Sequence, residues 1–400
     1  MSKIDDLIQE LCPDGVEYKE LGSITTIQRG ASPRPISRYV TEESDGVPWI
    51  KIGDVDTGGK YITQTKQRIT QEGASKSRFL KSGSFVLSNS MSFGRPYILK
   101  IDGCIHDGWL SLSDFENSYN TDFLYHLLRS SNIQTYWSME ANSGSVSNLN
   151  SKIVSGTMVP VPPIEVQEEI VRVLDSFAEL EAELEAELEA RRRQYVYYRD
   201  QLLTFNKPEE RELLSKSVKW VQLQQICDLS RGKVISKKYL ADHNGEYPVY
   251  SSQTENNGVF GKIDTYMFDG EYLTWTTDGA NAGSIFHREG KFSITNVCGL
   301  IKNKNEKEVL TRFLYYWLTI TAKSYVSAGM GNPKLMSGVM GSIEIPLPPL
   351  SEQQRIVDIL DKFDALVNDI SQGLPAEIEA RRKQYEYYRD KLLTFKKKEN

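Results

Sequence analysis

The 400-residue chain is 39% hydrophobic and 26% charged, with a net charge of −6, the composition of a folded protein long enough for two or three domains. Its sequence has no apolar run near the roughly 20 residues that span a bilayer, no basic-then-apolar signal at its start, and four cysteines (Cys12, Cys104, Cys227, Cys298) without a CxxC pair. These features argue against a membrane role, a zinc site and a disulfide framework, and predict a cytoplasmic protein with reduced thiols.

From the N-terminus, VEYKELGSI (16–24) leads to Arg29-Gly30 and then to stretches such as GVPWIKIGDV and GSFVLSNSM. These are β-branched or aromatic, bounded by Gly, Asp and Asn, and read as strands. TDFLYHLLRS, from Thr121, reads as a helix. Pro160-Val161-Pro162-Pro163 ends this first globular half, because paired prolines stop strands and oppose helix before them. Beyond it, Ile170, Leu174, Phe177, Leu180, Leu184, Leu188, Tyr195, Tyr198, Leu202 and Phe205 recur in steps dominated by three and four. That is an amphipathic helix with a seam for a partner helix; about 40 residues would make it about 60 Å long.

The second half follows the same order. VKWVQLQQI (218–226) leads to Arg231-Gly232, strand-like EYPVYSS and EYLTWTT, helical TRFLYYWLTI, and Pro346-Leu347-Pro348-Pro349. A second helical seam runs through Ile356, Leu360, Phe363, Leu366, Ile370, Ile378, Tyr385, Tyr388, Leu392 and Phe395, with Gly373-Leu374-Pro375 placed to break or kink it.

The order repeats because the sequence does. ELEARRRQYVYYRDQLLTF (187–205) and EIEARRKQYEYYRDKLLTF (377–395) agree at 15 of 19 positions. Upstream, PVPPIEVQEEIVRVLDSF (160–177) aligns with PLPPLSEQQRIVDILDKF (346–363), and TDFLYHLL with TRFLYYWL. Residues 31–120 and 233–310 show little likeness. Similar ends around divergent middles predict one fold carrying two surfaces. The expected class is α+β: two β-rich domains (1–159 and 206–345) separated by a long antiparallel two-helix coiled coil (160–205 and 346–400), with pseudo-twofold internal symmetry.

Charge is unevenly spread. Residues 160–205 alone carry a net −6, against −2, +2 and 0 for residues 1–159, 206–345 and 346–400. The near-neutral globular halves remain free to present basic faces to nucleic acid. Enzyme signatures are missing: no GxxxxGK[ST], HExxH or GxSxG occurs. Gly331-Asn332-Pro333-Lys334 lacks the second proline and aromatic of an adenine-methyltransferase motif. The histidines (His106, His126, His243, His287) are scattered. What recurs in the divergent middles is hydrogen-bonding side chains beside glycines and aromatics: RGASPRP (29–35), SNSMSFGRPY (88–97), CIHDGW (104–109), RGKVISKKY (231–239), YSSQTENNG (250–258) and WTTDGANAG (275–283). Arg, Lys, Asn and Gln can read base edges, and Ser and Thr can hold phosphates; the same residues also make ordinary turns.

The doubled frame PxPPxxxQ…IVxxLDxF…EARRxQYxYYRDxLLTF resembles the DNA specificity subunit of type I restriction-modification systems across essentially the whole chain. The resemblance implies that each middle is a target-recognition domain reading half of a split target, while the helices set the unread spacer, influenced by AELE-like repeats such as those at 178–189. It implies double-stranded DNA as a ligand. It further implies methyltransferase (M) subunits as partners, two per chain, and restriction (R) subunits; S-adenosylmethionine, ATP and Mg belong to those partners and none to this chain.

The candidate DNA contacts in the first half are Arg29, Arg34, Arg38, Lys51, Asn89, Ser90, Arg95 and His106. In the second they are Arg231, Lys233, Lys237, Lys238, Ser251, Gln253, Asn257, Thr276, Thr277, Asn281 and Lys334. Tyr195, Tyr197 and Tyr198, like Tyr385, Tyr387 and Tyr388, cannot all face one seam. The expected docking surface for partner subunits therefore comprises Arg191, Arg192, Tyr195, Tyr198, Arg381, Arg382, Tyr385 and Tyr388, unless it is simply a solvated charged face.

Overall fold

A computed structural model describes residues 3–55, 58–89, 94–141, 148–205, 218–327, 331–368 and 373–399; the candidate contact Ser90 lies outside them. The chain divides into two compact units, Met1–Ala186 with Glu377–Asn400, and Glu187–Ala376. Instead of standing as separate domains, the helical segments are shared out. Each unit takes one globular half, the beginning of the helix that follows it, and the tail of the other repeat.

In the first unit a sheet runs in spatial order Thr26–Arg29, Trp109–Ser113, Phe85–Ser88, Pro96–Leu99, Tyr61–Ile62. Its central strands are buried on both faces, which is why they read as almost continuously apolar. The two-residue period sorts their side chains. Val86, Tyr97, Leu99 and Trp109 pack with Ile50, Ile105 and Leu80 from a second five-stranded sheet. Phe85, Leu87, Ile98, Leu110 and Leu112 join Phe123, Leu124 and Leu128 of the helix Thr121–Leu128. Asn120 starts that helix, its side chain accepting from the amides of Asp122 and Phe123.

The second unit carries one six-stranded sheet, in spatial order Cys227–Arg231, Cys298–Asn303, Phe268–Thr276, Ile285–Ile294, Tyr247–Tyr250, Val259–Ile263. Leu273, Trp275 and Ile301 pack on Phe313, Leu314 and Trp317 of the helix Thr311–Thr321.

The glutamine of each PxPPxxxQ element is fully buried and acts as a staple. Gln167 donates to the carbonyls of Ser118 and Pro162 and accepts from the Asn120 amide. Gln353 donates to Glu308 and Pro348 and accepts from Leu310. The helix that follows is continuous over 39 residues in the first repeat, Ile164–Leu202. In the second it is described as Leu350–Asn368 and Gly373–Leu392. Gly373 has φ +70°, a value suited to glycine, and Pro375 falls in the opening turn, where its missing N–H costs nothing.

The tails complete the cores. Tyr385, Leu393 and Phe395 belong to the first unit's core, beside Ile170 and Leu174, and the Lys396 carbonyl accepts from the Val16 amide at 2.8 Å. Leu203 is buried in the second unit's core, with Leu202, Phe205 and Tyr195 against it. Within the first unit, Tyr388 stacks on Phe177 and Arg382 pairs with Glu181 and Glu185, so numbering falls along one helix as it rises along the other.

Helices Lys3–Leu11, Ser131–Ala141 and Lys237–Asp242 were not legible from the sequence. In Ser131–Ala141 only Ile133, Trp137 and Ala141 are buried, too narrow a stripe to register as a period. Among the described residues no helix is long and apolar enough to cross a membrane, and all four cysteines are free and buried.

Candidate nucleic-acid interface

At one rim of each unit, loops from several strands meet on a single aspartate. In the first, the strand Thr26–Arg29 ends at Arg29, whose Nε donates to the Asp107 carbonyl at 3.1 Å. The Ser32 hydroxyl donates to the Asp107 carboxylate at 2.8 Å, and His106 Nε2 lies 3.0 Å from it. The Gly108 amide donates to His106 Nδ1, which leaves the proton on Nε2, facing Asp107. The Arg34 guanidinium is 3.7 Å away and its side chain is 85% exposed. Burial pushes the Asp107 carboxyl up, but Ser32, His106 and Arg29 together hold it below its ordinary value. Trp49 and the His106 ring meet in a T-shaped contact, with ring centres 6.0 Å apart. Lys51 joins the rim through its backbone, directly after Ile50, whose carbonyl accepts from the His106 amide, and its Nζ donates to Gln67 at 2.8 Å.

The second unit gathers its cations on an aspartate at a different place in the chain, Asp278, which follows Thr277. Arg231 Nη2 lies 3.0 Å from the Thr277 hydroxyl and 3.3 Å from the Asp278 carboxylate. Lys334 Nζ is 3.9 Å from the other carboxylate oxygen, placed there by a bridge between its strand segment and Asp278. Lys233 bridges Thr295, and the Thr295 hydroxyl donates to Ser251 Oγ at 3.1 Å.

A shared backbone frame underlies both rims. The Gly30 amide donates to Trp109, as Gly232 does to Cys298. Asn89 donates to Gly108 as Thr277 does to Val297, His106 to Ile50 as Thr295 to Tyr250, and Leu149 to Asn89 as Leu335 to Thr277. Glycine is required after each arginine, since an added Cβ would lie 2.0 Å from the His106 carbonyl oxygen at Gly30 and 2.0 Å from that of Ile294 at Gly232. On this common frame the side chains differ: Asn89 against Thr277, His106 against Thr295, Lys51 against Ser251.

Several candidates need correction. Asn89, Thr276 and Thr277 are 4%, 1% and 0% exposed. Their side chains bond inward, to the Asp107 carbonyl, the Asn281 carbonyl and the Asp278 carboxylate, so they shape the rim and do not face a ligand. Arg95 turns away from the rim, over the Tyr97 ring and into a cleft it lines with Lys60, Tyr125 and Glu181. Arg38 is exposed on a short 3-10 turn, and Lys237 and Lys238 on a short helix; the structure ties none of them to the rim. Asn281 is exposed beside the Asp278 loop, while Gln253 is half-buried and donates to the Val259 carbonyl. The rim aspartates lie within CIHDGW and WTTDGANAG, but residue type does not mark them as part of a DNA-facing rim, because a carboxylate repels phosphate.

On the helices, Tyr385 is 5% exposed, with its hydroxyl 2.8 Å from His126 Nδ1, and Tyr195 packs against Phe363. These two rings are core residues and not docking residues. Tyr197 and Tyr387 are the outward rings, at 60% and 62% exposure. Tyr198 and Tyr388 stack on Phe363 and Phe177. Arg191, Arg192 and Arg381 pair with glutamates on their own helices, and Arg382 with Glu181 and Glu185.

Residues 13–190 and 216–380 match the family described as the type I restriction modification DNA specificity domain. A putative type I specificity subunit of Mycoplasma pneumoniae is 40% identical over 256 residues, covering 64% of this chain and 92% of that protein. The EcoR124I/EcoR124II specificity subunit of Escherichia coli is 37% identical over 258 residues, covering 60% and 62%. The fold is that of solved specificity subunits: the HsdS subunit of Thermoanaerobacter tengcongensis matches with TM-score 0.51 at 19% identity over 96% of this chain and 97% of that one. A chain from a type I restriction-modification assembly matches with TM-score 0.63 at 19% identity, over 95% and 97%.

Proposed function

The chain belongs to the type I restriction-modification DNA specificity family, and we propose that each of its units reads one half of a bipartite duplex through its rim loops. The protein is the specificity subunit of a type I restriction-modification complex: it supplies DNA sequence recognition, is not itself the catalyst, and assembles with M and R subunits. The observation that carries the two-reader assignment is the pair of rims, in which matching backbone hydrogen bonds frame different side chains. A common frame presents both halves to the duplex in the same way, and the differing side chains select different bases. Each rim aspartate gathers arginine, lysine or histidine before DNA arrives, so these groups are already ordered when they exchange it for phosphate or base acceptors.

In the finer reading, the two repeats' helices pair antiparallel as one coiled coil related by a pseudo-twofold axis and set the spacer between half-sites. The pairing of Phe177 with Tyr388 and of Glu181 with Arg382 supports this. Two M subunits dock on the outward faces near Tyr197 and Tyr387 and methylate adenine with S-adenosylmethionine. ATP and Mg serve the R subunits, and the complex works in the cytoplasm.

The test is binding of the complex with M subunits to duplexes of defined sequence. Specific binding should fall steeply with salt, because the counterions it releases from the phosphates gain less entropy in a more concentrated solution, and single-base changes in either half-site should weaken it. Equal affinity for all sequences would refute the reading.

A further inference from the structure

Arg288, in the middle of the strand Ile285–Ile294, is 3% exposed. Among the described residues no carboxylate lies within ion-pair distance of it, an unusual situation for a buried guanidinium. Its guanidinium carbon sits 3.6 Å above the Tyr250 ring centre and 4.4 Å from that of Phe286, and Nε donates to the Thr274 hydroxyl at 3.3 Å. Burial, the largest influence on it, lowers its pKa.

What this cation holds is the loop at 251–258. Asn256, Asn257 and Gly258 lie consecutively in the left-handed region, at φ 48°, 51° and 75°, where Asn and Gly are tolerated and most residues are not. Arg288 Nη1 donates to Asn257 Oδ1 at 3.1 Å. A Cβ on Gly258 would come within 2.9 Å of Nη2, so the loop is wrapped closely around the guanidinium. Its other end is fixed to the rim, where the Thr295 hydroxyl donates to Ser251.

A guanidinium can only donate. It therefore dictates that Asn257 turns its oxygen inward and keeps its amide N–H groups as the donors of an exposed loop. We infer that Arg288 is a positioning residue for the second half-site, orienting Asn257 as a hydrogen-bond donor toward an acceptor of the duplex, such as guanine O6 or N7, thymine O4 or adenine N7. This rests on the two-reader function proposed above and adds the polarity of one contact.

Asn257→Asp separates this role from simple loop support. Asp also tolerates left-handed backbone and still offers Arg288 an oxygen, but it has no N–H to give. Binding of the M-containing complex is measured on duplexes carrying each of the four bases, in turn, along both half-sites, and the chain is melted in parallel. The expected result is an unchanged or raised melting temperature, with discrimination at one second-half position falling about tenfold to a hundredfold and first-half discrimination unchanged. Any general repulsion from the new charge lowers all duplexes together and cancels in these ratios. Arg288→Met should flatten the same position; if that variant misfolds, Asn257→Ala takes its place. Parental discrimination in Asn257→Asp, or a loss spread over both half-sites, would overturn the inference. A parent protein that discriminates at neither half-site would instead defeat the two-reader function itself.

Discussion

His106 and Thr295 occupy the same backbone position in the two units. Each amide donates to the carbonyl ending a neighbouring strand, Ile50 at 3.1 Å and Tyr250 at 2.9 Å, and each carbonyl accepts a turn hydrogen bond at 3.0 Å, from Trp109 and Cys298. One side chain is an imidazole facing Asp107 and the other a hydroxyl facing Ser251. His106→Thr should therefore preserve the turn and change base preference in the first half-site alone, by about 1–3 kcal/mol at the affected position. Competition binding with single-base duplex variants checks this. An altered second half-site would contradict the assignment.

Gly30 and Gly232 should resist substitution. A methyl group at either would meet a backbone carbonyl oxygen at 2.0 Å, and backbone cannot step aside as a side-chain tip can. Gly30→Ala or Gly232→Ala should cost at least about 1–3 kcal/mol, the usual penalty of overpacking, and disturb only its own rim. Thermal melts and amide exchange report both effects, and a variant as stable as the parent would show that the strand ends are looser than described.

The shared tails make damage appear far from its site in sequence. Leu393→Ala should loosen the first unit, whose core it enters, and Leu203→Ala the second. Each should cost about 2–5 kcal/mol. Hydrogen exchange in Thr121–Leu128 should rise in the first variant and in Thr311–Thr321 in the second. The opposite pattern would mean that each tail packs on its own repeat.

His126 sets an acid limit on the first unit. Its ring is buried, which lowers its pKa below the ordinary value, with Lys60 and Arg129 pushing the same way and the Asp175 hydrogen bond opposing them. The unfolded chain takes up a proton below about pH 6.5 while the folded site resists it. Stability is therefore full above that pH and declines as pH falls from there toward the folded value. In melts between pH 8 and 5, His126→Gln should show a shallower decline than the parent. Parallel curves would remove His126 from the acid response.

Much of the fold was legible because repetition exposes the frame: the Arg-Gly pairs, the PxPPxxxQ staples and the LLTF tails all recur, and each does the same structural job twice. The rims were only partly legible. Flagged loops did meet, bringing Arg29, Arg34, Lys51 and His106 to one rim and Arg231, Lys233, Ser251 and Lys334 to the other. Which side chains face outward depends on strand alternation and on tight turns, and neither is fixed by residue type. Asn89 and Thr277 have base-reading or phosphate-holding chemistry yet point inward, and Arg95 lines a cleft with Lys60, Tyr125 and Glu181. Nothing in the sequence around Arg288 marks it out, and only the three-dimensional wrap of the 251–258 loop reveals its reach. The N-terminal helix Lys3–Leu11 was missed because it is mostly polar and buries only Ile4 fully, so little apolar sequence marks it.

The central claim, two independent readers on one frame, is tested most directly by mapping methylated positions across a genome carrying the complete complex. The map is made with the parent chain and with one whose residues 31–158 are exchanged for those of another family member. The account predicts that one half of the methylated motif changes while the other half and the spacer length stay fixed. A change in both halves, or in neither, would contradict it.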